Sequence, residues 1–469
     1  MKKQLLFTFV LLFQFTITHS QSWSQLSPGH HIYSQGNGIY QMCFDNHENL
    51  YVAGWLTDSI GNTRVAKWDG TSWTYVGYGS SVLNGYVEIQ TMIADSMGNI
   101  YIGGSVMDST YFVAKWDGAS WTRLGTSLSP RNQVLSLCLD PAGNLYAAGV
   151  LPDSTGHRFV SKWNGTSWTK LGIGTHALNP NSVINVLCSD AAGNIYAAGN
   201  FTDGPTDTSG YLYVAKWDGS NWTELGTGVC HAFEGWNAQI YSLAIDHSGN
   251  IYAGGWVSRD SDFVSKWDGV SWTKLGTSTN RLPNNSAVYT MCLDKFDNLL
   301  VGGTFIDSAT GSNMVAKWDG ITWSELGSGT GSLYANVEIF SIIKDKTGNI
   351  YAGGMFRDTS ITYHMGGGNP DRHPVYVAKF TDPATGISSE PTLFGLSFNP
   401  NPTHDAINIS GVNETLNYQL ITISGSKVSE GTLQPGTNNL SMIGLASGVY
   451  LLNVTNAAGN KNTVRMVKE

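Results

Sequence analysis

Charge is scarce in this chain: Asp, Glu, Lys and Arg make up 13% of 469 residues, with a formal net charge of -9 and a pI near 5.6. With 26 basic against 35 acidic residues and no basic stripe, nucleic acid is excluded as an expected partner, because neutralising phosphates needs clustered Lys and Arg. Long apolar runs are also missing beyond the first residues. Lys2 and Lys3, then Leu5 to Phe15, then Thr18-His19-Ser20 make the positive start, apolar stretch and small-residue site of an export signal. Residues 1–20 are therefore expected to be removed, leaving Gln21 as the mature N-terminus. The stretch falls short of the roughly 20 apolar residues that a membrane anchor needs, and no later segment is long and apolar enough to span a bilayer.

Cysteine is sparse as well, with 5 in the chain. Cys43, Cys138, Cys188 and Cys292 each stand two residues before an Asp of a repeated block, where other copies carry Ile93, Ala244 and Ile343. Equivalent positions on separate repeats point into separate interfaces, so no disulfide is expected and these thiols read as small apolar core residues. Cys230 falls in a connecting loop without a mate. Nucleophile elbow, phosphate loop and metalloprotease helix motifs are all absent.

What is abundant is glycine and large aromatics, 55 Gly, 16 Trp and 21 Tyr, a composition that suits many short strands joined by tight turns. The segment Val113-Ala-Lys-Trp-Asp-Gly-Ala-Ser-Trp-Thr-Arg-Leu-Gly125 recurs around Trp68, Trp163, Trp217, Trp267 and Trp318, and in worn form at Phe380. Ahead of each copy lies Asp-x-x-x-Asn, at Asp45, Asp95, Asp140, Asp190, Asp246, Asp294 and Asp345. A period of about 50 residues in strand-forming sequence is the mark of a repeat array. The opening Ser22-Trp-Ser-Gln-Leu26 is a second half without its first, and Val377-Ala-Lys-Phe380 is a first half without its second. Together they complete one unit, which predicts an all-β, seven-bladed β-propeller over 21–381 closed by the N-terminal strand.

Each unit reads as four strands, with Asp-x-x-Gly-Asn and Asp-Gly-x-Ser as the first and third turns. Those turns hardly vary, whereas the second-to-third strand connections do, the longest being Asn200 to Tyr213 and Met355 to Tyr376. Recognition is expected from the variable face. Residues 382–391 have linker composition, and 392–469 alternate in short runs that predict a small Ig-like β-sandwich.

The tail carries a specific likeness. Phe398-Asn399-Pro400-Asn401-Pro402-Thr403, Gly425 after a strand, Leu445-Ala-Ser-Gly448-Val-Tyr450-Leu451 and the last strand ending at Lys468 resemble the C-terminal sorting domain of type IX secretion cargo. That resemblance implies passage through the outer membrane, the secretion machinery as a partner, and a secreted or surface-attached product. The array resembles secreted bacterial propellers of the Lys-Trp-Asp-Gly type, and in outline kelch arrays.

Several residues stand out as candidate sites. Asp58, Asp108, Asp153, Asp203, Asp307 and Asp358 each fall four residues after the last glycine of the second strand, and Asp260 falls five after. Facing the axis, they would form a carboxylate ring able to hold Ca²⁺ or a cationic ligand; otherwise each closes an Asx-turn. Trp55, Trp236 and Trp256 are the tryptophans outside the repeat positions and are candidate ligand contacts, or else loop packing. Lys67, Lys115, Lys162, Lys216, Lys266, Lys317 and Lys379 recur beside the turn Asp residues, which suggests one Lys–Asp ion pair per unit. His364, Asp371 and His373 have zinc-ligand chemistry within a glycine-rich insertion. No cofactor follows from the residues themselves. The balance points to a non-catalytic recognition or adhesion module for an extracellular glycan or protein, with a polysaccharide hydrolase or lyase as the alternative.

Overall fold

The computed structural model describes strands and tight turns between residues 22 and 468. Residues 1–21, 27–31, 107–109, 126–132, 151–155, 173–177, 202–213, 227–237, 257–263, 307–312, 328–332, 356–372, 382–395 and a few short breaks lie outside the description. The expected signal segment, Cys230, His364 and Asp371 fall among these. The protein is all-β and folds as two compact units, one spanning Ser20–Thr381 and the other holding Asp382–Glu469.

The first unit is a series of antiparallel sheets, numbered one to seven here by their first strands: Ile32–Phe44, Val87–Ala94, Val134–Leu139, Ile184–Ser189, Gln239–Ile245, Val288–Leu293 and Ile339–Lys344. Sheet two is representative, running in order Val87–Ala94, Ile100–Val106, Thr110–Trp116, Trp121–Arg123. Sheet one carries a fifth strand, His373–Val375, against Ile32–Ser34. Sheet seven draws its fourth strand from the other end of the unit: Ser22–Gln25 pairs with Ala378–Thr381, Trp23 opposite Phe380.

First strands of successive sheets pack against one another, and that of sheet seven packs against that of sheet one. Apolar side chains fill each interface. Tyr51, Ala53 and Val65 of sheet one meet Met92, Ile100 and Ile102 of sheet two, and Ile39 and Met42 meet Tyr351 and Val377 across the junction with sheet seven. Hydroxyls on the first strands reinforce the packing. The backbone N–H groups of Leu137, Leu187, Ile342 and Met42 donate to Thr91, Ser136, Thr290 and Ser341 of the preceding sheet at 2.9–3.2 Å.

The outer edge repeats as regularly. In six sheets two tryptophans from the third and fourth strands lie opposite one another with centroids 5.2–5.7 Å apart. Trp23 and Phe380 take that place in sheet seven, at 5.3 Å. The indole N–H groups of Trp168, Trp222, Trp272 and Trp323 donate to the carbonyls of Leu124, Leu171, Leu225 and Leu275 in the preceding sheet, and Trp23 donates in the same way to Leu326. The N-terminal strand thus makes both interactions that define a fourth strand elsewhere.

One glycine per repeat has a steric cause. A Cβ on Gly54, Gly104, Gly149, Gly199, Gly255, Gly303 or Gly354, the last glycine of each second strand, would lie 1.7–2.3 Å from a carbonyl oxygen of the adjacent first strand or of the residue just before it. Only a residue without a side chain allows that approach. Gly303→Ala is expected to destabilise by about 3 kcal/mol through forced backbone displacement, read as a lowered urea midpoint. An unchanged midpoint would contradict the packing.

The second unit consists of two sheets. Ser397–Asn399, Ala406–Val412 and Gly436–Ser441 form one, and Lys427–Leu433, Leu416–Thr422, Gly448–Thr455 and Lys461–Lys468 form the other. They share a core that includes Ile407, Ile409, Leu420, Leu452, Val454 and Met466. Among the described residues no helix is long and apolar enough to cross a membrane.

Candidate functional site

Every first strand of the repeat unit bulges at one place, five residues before the turn Asp. The register jumps there in all seven sheets, as between Ile240 and Ser242 or Val288 and Thr290. A bulge re-aims the extra residue out of the pleat. The seven bulge residues are Tyr40, Gln90, Leu135, Asn185, Tyr241, Tyr289 and Phe340, all half-buried. Four consecutive ones are aromatic and touch ring to ring across sheet boundaries. Tyr241 and Tyr289 are 5.4 Å apart, Tyr289 and Phe340 5.2 Å, and Phe340 and Tyr40 5.2 Å, edge-on. Asn185 extends the row by donating from Nδ2 to the Ile240 carbonyl at 3.0 Å and to Asn200 Oδ1 at 2.8 Å. Burial pushes the Tyr241 hydroxyl up to about 12, with Tyr289 contributing, and burial followed by the charge of Glu338 raises Tyr289. Both phenols stay neutral, so the row presents aromatic faces at physiological pH.

Two residues toward the start of the same strands lies a polar tier. Glu88 accepts from Trp55 Nε1 at 3.4 Å and from Gln133 Nε2 at 3.3 Å, and Gln133 also reaches Ser105 Oγ at 3.5 Å. Gln239, opposite Trp256 in the register, accepts from the Tyr241 hydroxyl at 2.5 Å. Trp55 and Trp256 occupy one repeat position, directly after the last glycine of the second strand, and both are half-buried. The structure therefore brings Trp55 and Trp256 to the row's edge, while Trp236 lies outside the described residues.

Asp58 is buried, its Oδ2 2.7 Å from Arg64 Nη2, and its Oδ1 accepts the Asn62 N–H at 3.0 Å in a closed turn. Arg64 Nη1 donates onward to the Thr63 and Leu83 carbonyls. This carboxylate holds a turn and a buried guanidinium. Asp108, Asp153, Asp203, Asp307, Asp358 and Asp260 lie outside the described residues, and the described residues contain no cluster of three or more metal-binding side chains. Of His373 only the backbone is described.

The expected Lys–Asp pairs are replaced by a different arrangement. Lys67, Lys115, Lys162, Lys216, Lys266 and Lys379 each sit 5.3–5.8 Å from the ring centre of a second-strand tyrosine. That tyrosine's hydroxyl donates to the turn Asp, as Tyr101 does to Asp95 and Tyr196 to Asp190. The ring therefore stands between the two charges, as a cation–π contact on one side and a hydrogen bond on the other. Sheet six has Leu300 in place of tyrosine, and there Lys317 reaches Asp294 directly at 3.2 Å.

Burial opposes the charged form of Asp95, Asp140, Asp190 and Asp345. Hydrogen bonds from the following Asn, the turn N–H groups and the tyrosine hydroxyl outweigh it and hold these carboxyls below their ordinary range. A folded-state value below the unfolded value of about 3.9 contributes stability that is complete above that pH and lost as pH falls through the folded value. Melting temperature is expected to be level from about pH 7 to pH 5 and to fall below about pH 4. A level profile down to about pH 3 would contradict this source of stability.

Burial also raises the thiols, Cys138 and Cys292 to about 12 and Cys43 and Cys188 further, so all four are inert. They are free.

In the second unit Tyr450 is buried and its hydroxyl donates to the Ala446 carbonyl at 2.8 Å. Lys468 ends the last strand, paired along the chain with Gly448 and bridged to Thr403. Asn399 closes the first strand of the three-stranded sheet; Pro400, Asn401 and Pro402 lie outside the described residues.

Residues 397–469 match the secretion system C-terminal sorting domain, the address of type IX cargo, so the protein is exported to the cell surface or secreted. By structure, the chain is similar to PorZ of Porphyromonas gingivalis, described as an essential bacterial surface component of the type-IX secretion system. Identity is 16%, TM-score 0.52, covering 93% of this chain and 60% of that one. It is also similar to the extracellular domain of a putative hybrid two-component system from B. thetaiotaomicron (12%, TM-score 0.49, 95% and 47% covered). A third likeness is the WD40 β-propeller domain of Doa1 (14%, TM-score 0.43, 74% and 97% covered). The chain thus spans about half to three-fifths of the first two proteins' lengths. No curated protein matches by sequence. The chain is all-β, with repeated four-stranded sheets and propeller neighbours.

Proposed function

We propose that the seven sheets are blades of one closed β-propeller of the Lys-Trp-Asp-Gly type, delivered outside the cell by an Ig-like sorting domain after removal of residues 1–20. In this reading the propeller is a non-catalytic recognition module for an extracellular glycan or protein. The bulge residues face the axis and form its binding surface. The observation that carries the reading is the half-buried aromatic row Tyr241, Tyr289, Phe340 and Tyr40 on the innermost strands, because contiguous aromatic area left open by a fold marks a recognition surface. Glu88 of the polar tier is engaged by Trp55 and Gln133, an arrangement that fits positioning rather than acid–base chemistry.

The test is a glycan and protein array probed with the purified protein and with a Tyr289→Leu, Phe340→Leu double variant of unchanged melting temperature. A ligand bound by the parent and lost by the variant supports the reading. A ligand bound equally by both, or a polysaccharide cleaved by the parent, contradicts it.

A further inference from the structure

Glu88 and Glu338 hold the same repeat position, seven residues before the turn Asp, yet their surroundings differ. Glu88 has donors on both sides, Trp55 from sheet one and Gln133 from sheet three. The residues matching Trp55, Gln133 and Ser105 around Glu338 are Thr304, Gly38 and Met355, none of which supplies a side-chain donor to it. The Thr304 hydroxyl accepts the Ala287 N–H at 2.7 Å. Among the described residues Glu338 Oε2 is buried with no hydrogen-bond partner. A buried carboxylate oxygen without a partner among the described residues is poised to accept from a donor that the described residues do not supply. Its charge is felt by Tyr289, and it lies beside the aromatic row, two residues before Phe340 and directly before the strand Ile339–Lys344.

We infer that Glu338, with the faces of Tyr289 and Phe340, forms a site for an alkylammonium group of the lysine type. A carboxylate beside a cluster of aromatic rings is the chemistry that holds such a cation, the rings taking the methylenes and the charge together. The net charge of -9 favours a cationic ligand in the same sense. This inference rests on the row being a binding surface, and it names what that surface takes.

Three probes decide it in calorimetric titrations of the full chain: N-acetyl-lysine N-methylamide, its uncharged norleucine counterpart, and tetramethylammonium. The lysine probe should bind, the norleucine probe at least tenfold more weakly, and Glu338→Gln should weaken the lysine probe at least tenfold while Glu430→Gln, an exposed residue of the second unit, leaves it unchanged. Tighter binding of tetramethylammonium than of the lysine probe would overturn the lysine-type assignment. Equal binding of lysine and norleucine probes, or an unaltered Glu338→Gln variant of native melting temperature, would overturn it. An array ligand lost in Phe340→Leu but retained in Glu338→Gln would leave the recognition surface standing and remove the ammonium assignment. One retained in both would remove the surface itself.

Discussion

Trp23→Ala is expected to lower stability by about 3 kcal/mol, as large an effect as a single outer-strand residue should have here. The indole packs on Phe380 at 5.3 Å and its N–H donates to the Leu326 carbonyl at 2.7 Å, so the substitution opens a cavity and leaves a carbonyl without its donor. Trp23→Phe keeps the ring and drops the hydrogen bond, and should cost about 1 kcal/mol. Deleting residues 22–25 goes further: it exposes the edge of Ala378–Thr381 and leaves His373–Val375 on Ile32–Ser34 as the remaining described strand pairing between the two ends of the unit. Loss of cooperative urea unfolding is the expected result. A deletion variant that unfolds at the parent midpoint would show the strand to be dispensable.

Export should fail when residues 392–469 are removed. The matched sorting domain covers 397–469, and its last strand runs the full length of Gly448–Thr455 before meeting Thr403 at Lys468. In a host with type IX secretion, the truncated protein should accumulate in the periplasm, with medium and surface fractions reduced at least tenfold by immunoblot. Undiminished appearance outside the cell would mean that another signal directs it. A milder substitution, Tyr450→Phe, removes the hydrogen bond to Ala446 without changing the strand, and should leave export intact while lowering domain stability by about 1 kcal/mol.

Much of the architecture was legible because the chain repeats itself. Two half-motifs at Trp23 and Phe380 could be read as one unit, and the Asp-x-x-x-Asn blocks mark every first turn. The same repetition concealed the candidate surface. Tyr40, Tyr241, Tyr289 and Phe340 look like ordinary members of alternating strands, and only the bulge, which inserts one residue into the pleat, turns them out of it. Their constant distance of five residues from the turn Asp was the available signal. The ion pairs expected between Lys and Asp failed for a related reason: the tyrosine of the second strand is also repeated, and it stands between them. Leu300 is the exception that shows this, since its loss of a ring lets Lys317 meet Asp294. Trp55 and Trp256 were legible as unusual tryptophans, but their shared register beside the row depends on sheet pairing.

Joining the two ends of the repeat unit is the claim on which the ring, its faces and its binding surface all depend. Ser22 and Thr381 are register partners in the closing pair. A Ser22→Cys, Thr381→Cys protein, with Cys230→Ser to remove the remaining loop thiol, should form an intramolecular disulfide under mild oxidation. The bond should appear at all protein concentrations and be detected by mass spectrometry of the linked peptides. No linkage, or linkage between chains only, would contradict a unit closed by its own first strand.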